Sequence, residues 1–298
     1  MNDDLIYRCI RLLVRIIGNI PIGFAEFLSS LLGLLWFRFD KRHRRVTLNN
    51  LTHAFGKEMP PDQIEILAKQ VFKNLASMLF EMTWSACLSR DQLLSHVEIK
   101  GLEHIRKAHA KGRGVLVISG HMGNFEMLMP GLYGTGLKGY AIYRRLNFEP
   151  LERFLTPLRE RFNVTLIPMR NAAPKVIDSL ASGGVVGTMI DQSVDWYSGV
   201  FVNFFGRPAC TNKEVIKLAM KAQTTVIPLY TIRSNRKYLI EFLPELPLQY
   251  TQDPIGDIEV NTQNITNILE SVIREYPDQY FWIHNRWKTK NYCSWPRP

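Results

Sequence analysis

A histidine and a glutamate lie five residues apart in the segment 120–126, which reads GHMGNFE. The segment directly follows the apolar run 115–119 and precedes a helix-like stretch. We therefore expect it at the carboxyl end of a strand, where open α/β sheets hold their ligands. Glycines on both sides of the histidine allow a sharp turn and a close approach of substrate. If a helix begins near Asn124, the chain turns back and the carboxylate of Glu126 can reach a ring nitrogen of His121, which would raise the basicity of the imidazole.

The pair has no serine or cysteine nucleophile beside it, and the sequence contains no GxSxG motif. The imidazole would then act on substrate directly, by deprotonating an acceptor hydroxyl that attacks an activated acyl group. Backbone N–H groups at the start of the following helix would stabilise the oxyanion that forms. The spacing HxxxxE differs from the zinc motif HExxH and no third ligand is nearby, so we expect no metal. A structural histidine in a capped loop is the alternative that this segment alone leaves open.

From residue 97 onwards, short β-branched runs alternate with helix-like stretches. These elements must position the histidine segment. The runs are VLVI at 115–118, YAIY at 140–143, VTLI at 164–167, VVGTMI at 185–190, TTVIPLYTI at 224–232 and YLIEFL at 238–243. Helix-like stretches lie near 62–90, 101–111, 125–133, 150–162, 172–182, 212–222 and 258–275. This alternation predicts an α/β fold with a mixed, largely parallel sheet flanked by helices. We expect one α/β domain over residues 46–298 behind a helical leader, residues 1–45.

The leader has the composition of a membrane-associated segment. Arg8, Arg11 and Arg15 share one helical face among Ile, Leu and Val, which suits a helix lying among lipid phosphates. The stretch 16–37 that follows carries a single charge, Glu26, which would cost about 2.5–3.5 kcal/mol if ionised in lipid. Pro21 and Gly23 interrupt it early, so a bent, half-inserted helix pair and a clean span are equal alternatives.

A basic cluster ends the leader, at Arg38, Lys41, Arg42, Arg44 and Arg45, and would stay on the cytoplasmic side. A pair of helices that covers the core of the main domain is the plainer alternative for the whole leader.

Charge and cysteine content narrow the class of protein. The net charge is +10, and the first 45 residues hold eight Lys/Arg against four Asp/Glu. These cations lie among Leu and Ile and no nucleic-acid motif is present, so we expect a membrane surface as partner and no nucleic acid. Four scattered cysteines without a CxxC pair rule out a disulfide scaffold and indicate reduced thiols in the cytoplasm.

The histidine block, HxGN(F/W)E, resembles that of the late acyltransferases of lipid A assembly, a branch of the wider lysophospholipid and glycerol-phosphate acyltransferase group with the HX4D/E signature. Further blocks agree in order and spacing: Tyr143-Arg144, Asp191-Gln192, FVNFFGRPA at 201–209, VIPL at 226–229 and WIHNRWK at 282–288. The resemblance covers nearly the whole chain. The histidine block alone is moderately specific, but the combination is strong.

The resemblance implies that His121 is the general base and Glu126 its orienting partner, with Gly123 and Asn124 of the same block binding substrate. It implies an acyl thioester donor, usually acyl carrier protein, and an acceptor hydroxyl on an anionic membrane lipid, most often a lipid A precursor. The enzyme would work at the cytoplasmic face of the cell inner membrane, without a cofactor or a metal.

Five other polar residues are candidates for substrate contacts. Arg144, Arg159 and Arg207 could bind phosphate, since guanidinium groups bind it bidentately, although each could be a solvated surface charge. Asp191 and Gln192 could hold sugar or pantetheine hydroxyls, whereas a helix-capping aspartate is the plainer reading.

Departures from the family pattern concern the acceptor side. Arg145 replaces a common proline, Cys210 enters the FFG block, and Asn285 interrupts the terminal basic pair. A lysophospholipid or another glycolipid is therefore an alternative acceptor. Water as acceptor would make the protein a thioesterase or lipid esterase. A non-catalytic basic protein is the third class, and the matched blocks argue against it.

Overall fold

The fold comes from a computed structural model that describes residues 3–234 and 237–290. Five helices precede the sheet: α1 (Asp3–Gly18), α2 (Ile22–Phe39), α3 (Lys41–Phe55), α4 (Pro61–Cys87) and α5 (Arg90–Leu94). Residues 19–21 separate α1 from α2. Pro21 lacks the backbone N–H that a continuing helix would need. The position 45 that the sequence suggests as a domain boundary lies inside α3.

In the described part of the chain, nine strands follow in order: β1 (Val97–Lys100), β2 (Val115–Ser119), β3 (Gly139–Tyr143), β4 (Val164–Pro168), β5 (Val185–Met189), β6 (Gly199–Phe204), β7 (Arg207–Asn212), β8 (Thr225–Ser234) and β9 (Lys237–Phe242). Seven of them form one sheet in the order β1-β9-β8-β2-β5-β3-β4. Only the β8–β9 pair is antiparallel. The predicted mixed, largely parallel sheet is confirmed.

Helices cover both faces of the sheet. They are α6 (Leu102–His109), α7 (Leu128–Gly134), α8 (Glu149–Glu160), α9 (Ala173–Ala181), α10 (Glu214–Ala222) and α11 (Pro254–Glu275). Ile105 and Leu132 pack on one face, and Val176, Ile216 and Ile265 on the other. Strand β2, whose five residues are all buried, lies at the centre between these layers, as expected for a strand in a parallel sheet.

Strands β6 and β7 form a separate antiparallel hairpin that the sequence analysis treated only as a motif. Phe205 and Gly206 make its two-residue turn with φ values of 50° and 76°, the left-handed backbone that tight hairpin turns require. The Phe205 ring packs against Phe55 and Trp282, so the hairpin closes over α3 rather than joining the main sheet.

The two leader helices pack against α4. Their outer faces leave large apolar side chains exposed, among them Leu12, Ile16, Phe24, Phe27, Leu31 and Phe39. Within the described residues, α2 is the one helix long and apolar enough to cross a membrane by length and composition. The leader therefore both covers the domain and presents an apolar surface.

Candidate active site

The loop after β2 is held by backbone contacts from distant segments. Gly123 has a φ of +54°, and a Cβ there would lie 2.5 Å from the carbonyl oxygen of Thr231, so only glycine fits. Its N–H donates to the carbonyl oxygen of Gln279 over 2.8 Å. Gly123 therefore sets the path of the loop, and its N–H is engaged within the protein rather than offered to substrate.

His121 is oriented by Asp191, not by Glu126 as the sequence predicts. Nδ1 of His121 lies 2.7 Å from Oδ1 of Asp191, and the His121 backbone N–H donates to Oδ2 over 3.0 Å. The sheet causes this contact, because β2 and β5 are parallel neighbours with Ser119 opposite Met189. His121 and Asp191 each lie two positions beyond these partners. They consequently meet, although they are 70 positions apart in the chain.

The two groups stabilise each other's charged form. Asp191 is only 5% exposed, and burial by itself would raise its pKa. The charge of His121, its two hydrogen bonds and the charge of Arg286 outweigh burial and lower the pKa of Asp191 to about 2. Burial likewise tends to lower the pKa of His121, but the Asp191 carboxylate, with a smaller contribution from Glu126, raises it above the ordinary value of 6.5.

Glu126 pairs instead with Arg159 of α8. Oε1 and Oε2 of Glu126 lie 2.6 and 2.9 Å from Nη2 and Nε of Arg159, a bidentate ion pair. Both side chains are largely buried. The short 3-10 turn Phe125–Met127, which Asn124 caps, carries Glu126 to α8 instead of turning it back to the imidazole. The charge of Glu126 still acts on His121 through space.

Asn124 is fully buried, and its side chain bonds to protein. Nδ2 donates to Oε2 of Glu81 over 2.9 Å, and Oδ1 accepts from the N–H of Glu126 over 3.2 Å. Glu81 lies on α4 and is also paired with Arg233. Asn124 thus fastens the loop to α4, and the structure does not place it against a ligand space.

A cavity of about 200 Å³ opens at the carboxyl edge of the sheet. Five of the residues singled out from the sequence line it together: His121, Glu126, Arg144, Arg159 and Gln192. Apolar side chains complete its wall, including Leu128, Met129, Leu132, Ala141 and Met189. Gln192 contacts the imidazole, with its amide nitrogen 3.3 Å from Nε2 of His121. The second ring nitrogen of His121 therefore faces the polar end of an otherwise apolar cavity.

Of the three candidate arginines, Arg207 is the one that the structure does not bring to this cavity. It begins β7 as an exposed residue, and its guanidinium carbon lies 5.9 Å from the centre of the Trp287 ring. The hairpin that carries Arg207 packs on α11 and α3 instead of the loop after β2. The structure therefore does not support a phosphate contact of Arg207 in this cavity.

The segment after α11 closes over the back of the site. Its Phe281 N–H donates to the carbonyl oxygen of His121 over 3.1 Å. Tyr280 is buried near Asp191, and burial together with the charge of that carboxylate raises the pKa of this phenol. Arg286, 2% exposed, donates to the carbonyl oxygen of Cys210 over 2.9 Å. The segment thus places Tyr280 and the charge of Arg286 near buried Asp191.

Comparison with known proteins decides the family. The model of the bacterial lipid A biosynthesis acyltransferase family matches residues 7–289 of this chain. The chain belongs to that family. The family expected from the sequence blocks is thus confirmed, and the protein is an acyltransferase.

Curated relatives of this family member span most of its length. The lipid A biosynthesis lauroyltransferase of Escherichia coli is 28% identical over 92% of this chain and 89% of its own length. The palmitoleoyltransferase of the same organism is 26% identical over 91% and 87%. A phosphatidylinositol mannoside acyltransferase of Mycolicibacterium smegmatis is 22% identical over 80% of this chain and 77% of its own.

Sequence reasoning on this acyltransferase missed the role of its last described segment. The block WIHNRWK is a motif in the sequence. The spacing of Tyr280 and Arg286 does not show that both lie near enough to Asp191 to affect its charge. An arginine between two tryptophans, Trp282 and Trp287, was the available signal. Within residues 3–234 and 237–290, no group of three or more His, Cys, Asp or Glu side chains is arranged to hold a metal ion.

Proposed function

We propose that the protein transfers a fatty acyl group from acyl carrier protein to a hydroxyl of a lipid A precursor, at the cytoplasmic face of the inner membrane. The observation that carries the proposal is His121, fixed through Nδ1 by buried Asp191, with Nε2 toward a cavity that is polar at one end and apolar beyond. The names of the Escherichia coli relatives support the choice of acceptor.

In the proposed reaction, Nε2 of His121 accepts the proton of the acceptor hydroxyl while its oxygen attacks the thioester carbonyl. The carbon–oxygen bond forms, the carbon–sulfur bond breaks, and the proton passes from His121 to the departing thiolate. The Asp191 carboxylate stabilises the imidazolium and holds its tautomer, as an aspartate does in a serine triad. No acyl-enzyme is needed in this reaction, since the described residues that line the cavity include no serine or cysteine.

Glu126 takes a different role from the one expected of it. It engages two of the five N–H donors of Arg159 and so fixes the guanidinium in the cavity wall. The other donors can contact an oxyanion or a phosphate oxygen. Glu126 is then a positioning residue for Arg159, and its charge also favours the protonated form of His121.

Arg144 and the apolar wall would bind different parts of the substrates. Arg144 is exposed at the end of β3 and lines the cavity, which suits a phosphate of the acceptor or of the phosphopantetheine arm. Met129, Leu132 and Ala141 suit the acyl chain, because they line the apolar part of the cavity.

The leader supplies the membrane contact in this proposal. Exposed Leu12, Phe24 and Phe27 would enter the lipid, while Arg8 and Arg15, also exposed, would meet the phosphates. This arrangement keeps the enzyme on the surface from which a lipid acceptor reaches the cavity.

The test is an assay of the full chain with labelled acyl carrier protein and a lipid A precursor in mixed vesicles. We expect label in the lipid, and loss of that product in His121→Ala but not in His104→Ala, a partly exposed histidine on α6. Label only in free fatty acid would identify a thioesterase. Label in a mannosylated inositol lipid but not in the lipid A precursor would overturn the acceptor.

A further inference from the structure

A second cavity, which shares no lining residue with the catalytic one, lies between the leader and α4. Two glycines explain why the helices enclose it. A Cβ on Gly18 would lie 2.3 Å from the carbonyl oxygen of Thr83, and one on Gly33 would lie 2.5 Å from Cα of Lys73. The leader therefore touches the α4 backbone at both points. Between them the chain turns at Pro21, and the space lies beside this turn, lined by Ile20 and Ile22.

The space between the two contacts measures about 240 Å³, and we call it the leader cavity. Its walls are mainly apolar, with Ile17, Ile20, Ile22 and Ala25 from the leader facing Phe80 and Trp84 of α4. The apolar part of this wall favours an apolar ligand. The polar part is formed by Glu26, Ser29, Ser77, Glu81 and Arg233, of which Glu81 and Arg233 are paired with each other.

The surroundings of the leader cavity indicate where such a ligand comes from. The α2 helix that forms one wall exposes Phe24, Phe27 and Leu31 on its surface. The cavity is thus continuous with the apolar surface that faces the membrane in the proposed function. Lys237 also lines it and is exposed, which places a cation where a lipid phosphate would lie.

We propose that the leader cavity binds one acyl chain of a bilayer phospholipid, with Lys237 against its phosphate. This lipid is a bound component and not the acceptor, so the proposal goes beyond the acyl transfer and does not depend on it. The wall opposite α2 includes Glu81 and Tyr238, and Glu81 also fastens Asn124 of the catalytic loop. The bound chain would complete the packing around that anchor.

Fluorescence of Trp84 tests the proposal, since this side chain lines the cavity. The full-length protein is placed in phospholipid vesicles with brominated acyl chains, which quench tryptophan on contact. The emission of Trp84 is obtained as the difference between wild type and Trp84→Phe. We expect strong quenching that Ala25→Phe removes by filling the cavity. Leu31→Phe, on the exposed face of α2, is the matched control and should leave the quenching unchanged.

Mass spectrometry of the intact protein after gentle extraction identifies the occupant. One retained phospholipid is expected for wild type and Leu31→Phe. A reduced fraction is expected for Ala25→Phe and for Lys237→Glu, which reverses one charge and leaves the apolar walls in place. Unchanged Trp84 quenching in folded Ala25→Phe would overturn the proposal. A retained fatty acid or detergent without phospholipid, or no bound species in wild type, would overturn it as well.

Discussion

The carboxyl edge of the sheet and the helical leader differ in which side chains they bury and which they expose. At the sheet edge, buried charges are paired over short distances: His121 with Asp191, and Glu126 with Arg159. In the leader, apolar side chains such as Phe24 and Phe27 are exposed, while the charges lie around them. A buried charge without its partner is costly, and an exposed apolar face needs a partner outside the chain. The first region is therefore complete within the fold, whereas the second, in the proposed function, is completed by lipid.

We expect the largest loss of activity when His121 is changed, because no other side chain takes its place as the base. His121→Ala should lower acyl transfer by about 10²–10⁴-fold, since general-base catalysis contributes that much. The fold should survive, because the histidine ring is not part of the sheet. Steady-state rates together with circular dichroism check this prediction. A rate within about threefold of wild type would contradict the assignment of the base.

Asp191→Asn should come next, because it removes both the orientation of His121 and the charge that raises its pKa. In wild type, the rate should rise with pH through a pKa above 6.5, as the neutral imidazole is the base. Without the carboxylate, burial dominates and lowers the pKa of His121, so the rising limb should move to lower pH while the plateau falls. A pH–rate profile measures both changes. An unchanged midpoint would show that Asp191 does not govern the histidine.

Glu126→Gln should have a smaller effect on the pH profile than Asp191→Asn. The rising limb should move to lower pH by less, because Glu126 acts on His121 only through space. The rate should still fall, since Arg159 loses its charged partner. Arg159→Lys is the matched comparison, as it keeps the charge but cannot form the bidentate pair. If Glu126→Gln shifts the midpoint more than Asp191→Asn, then Glu126 is the partner of the imidazole in solution.

The leader is tested by charge reversal at Arg8, Arg11 and Arg15. Changing each to Glu should weaken binding to anionic vesicles by about 1 kcal/mol or more per site. High salt should weaken binding only in part, because burial of apolar side chains is not screened. Vesicle co-sedimentation measures the change, with Lys107→Glu on α6 as a control for net charge. Equal losses for the leader variants and the control would show that position in the leader does not matter.

Chelation should have the smallest effect, with no change in rate after treatment with EDTA. Neither the cavity-lining residues nor the proposed reaction calls for a metal. Loss of activity that one divalent ion restores would contradict the metal-free reaction. The same assay with labelled acyl carrier protein serves for the measurement.

Local patterns in the sequence determine much of this protein. Apolar β-branched runs place β2, β3, β4, β5, β8 and β9 within one or two residues of their observed bounds, since β-branched and aromatic side chains favour strands locally. They also place His121 just beyond the end of a strand. The charge-poor stretch 16–37 and the three arginines before it identify the leader, because their pattern depends only on helical periodicity.

The partners of the reactive groups depend on the tertiary structure. Reasoning along the chain joins His121 to its neighbour Glu126, but the order of the sheet places β5 beside β2 and brings Asp191 to the ring. Helix α8 then takes Glu126 through Arg159. A hydrogen bond needs its atoms within about 3 Å, and spacing in the sequence cannot fix that distance between residues 70 positions apart. Only the packing of strands and helices decides which charge meets which.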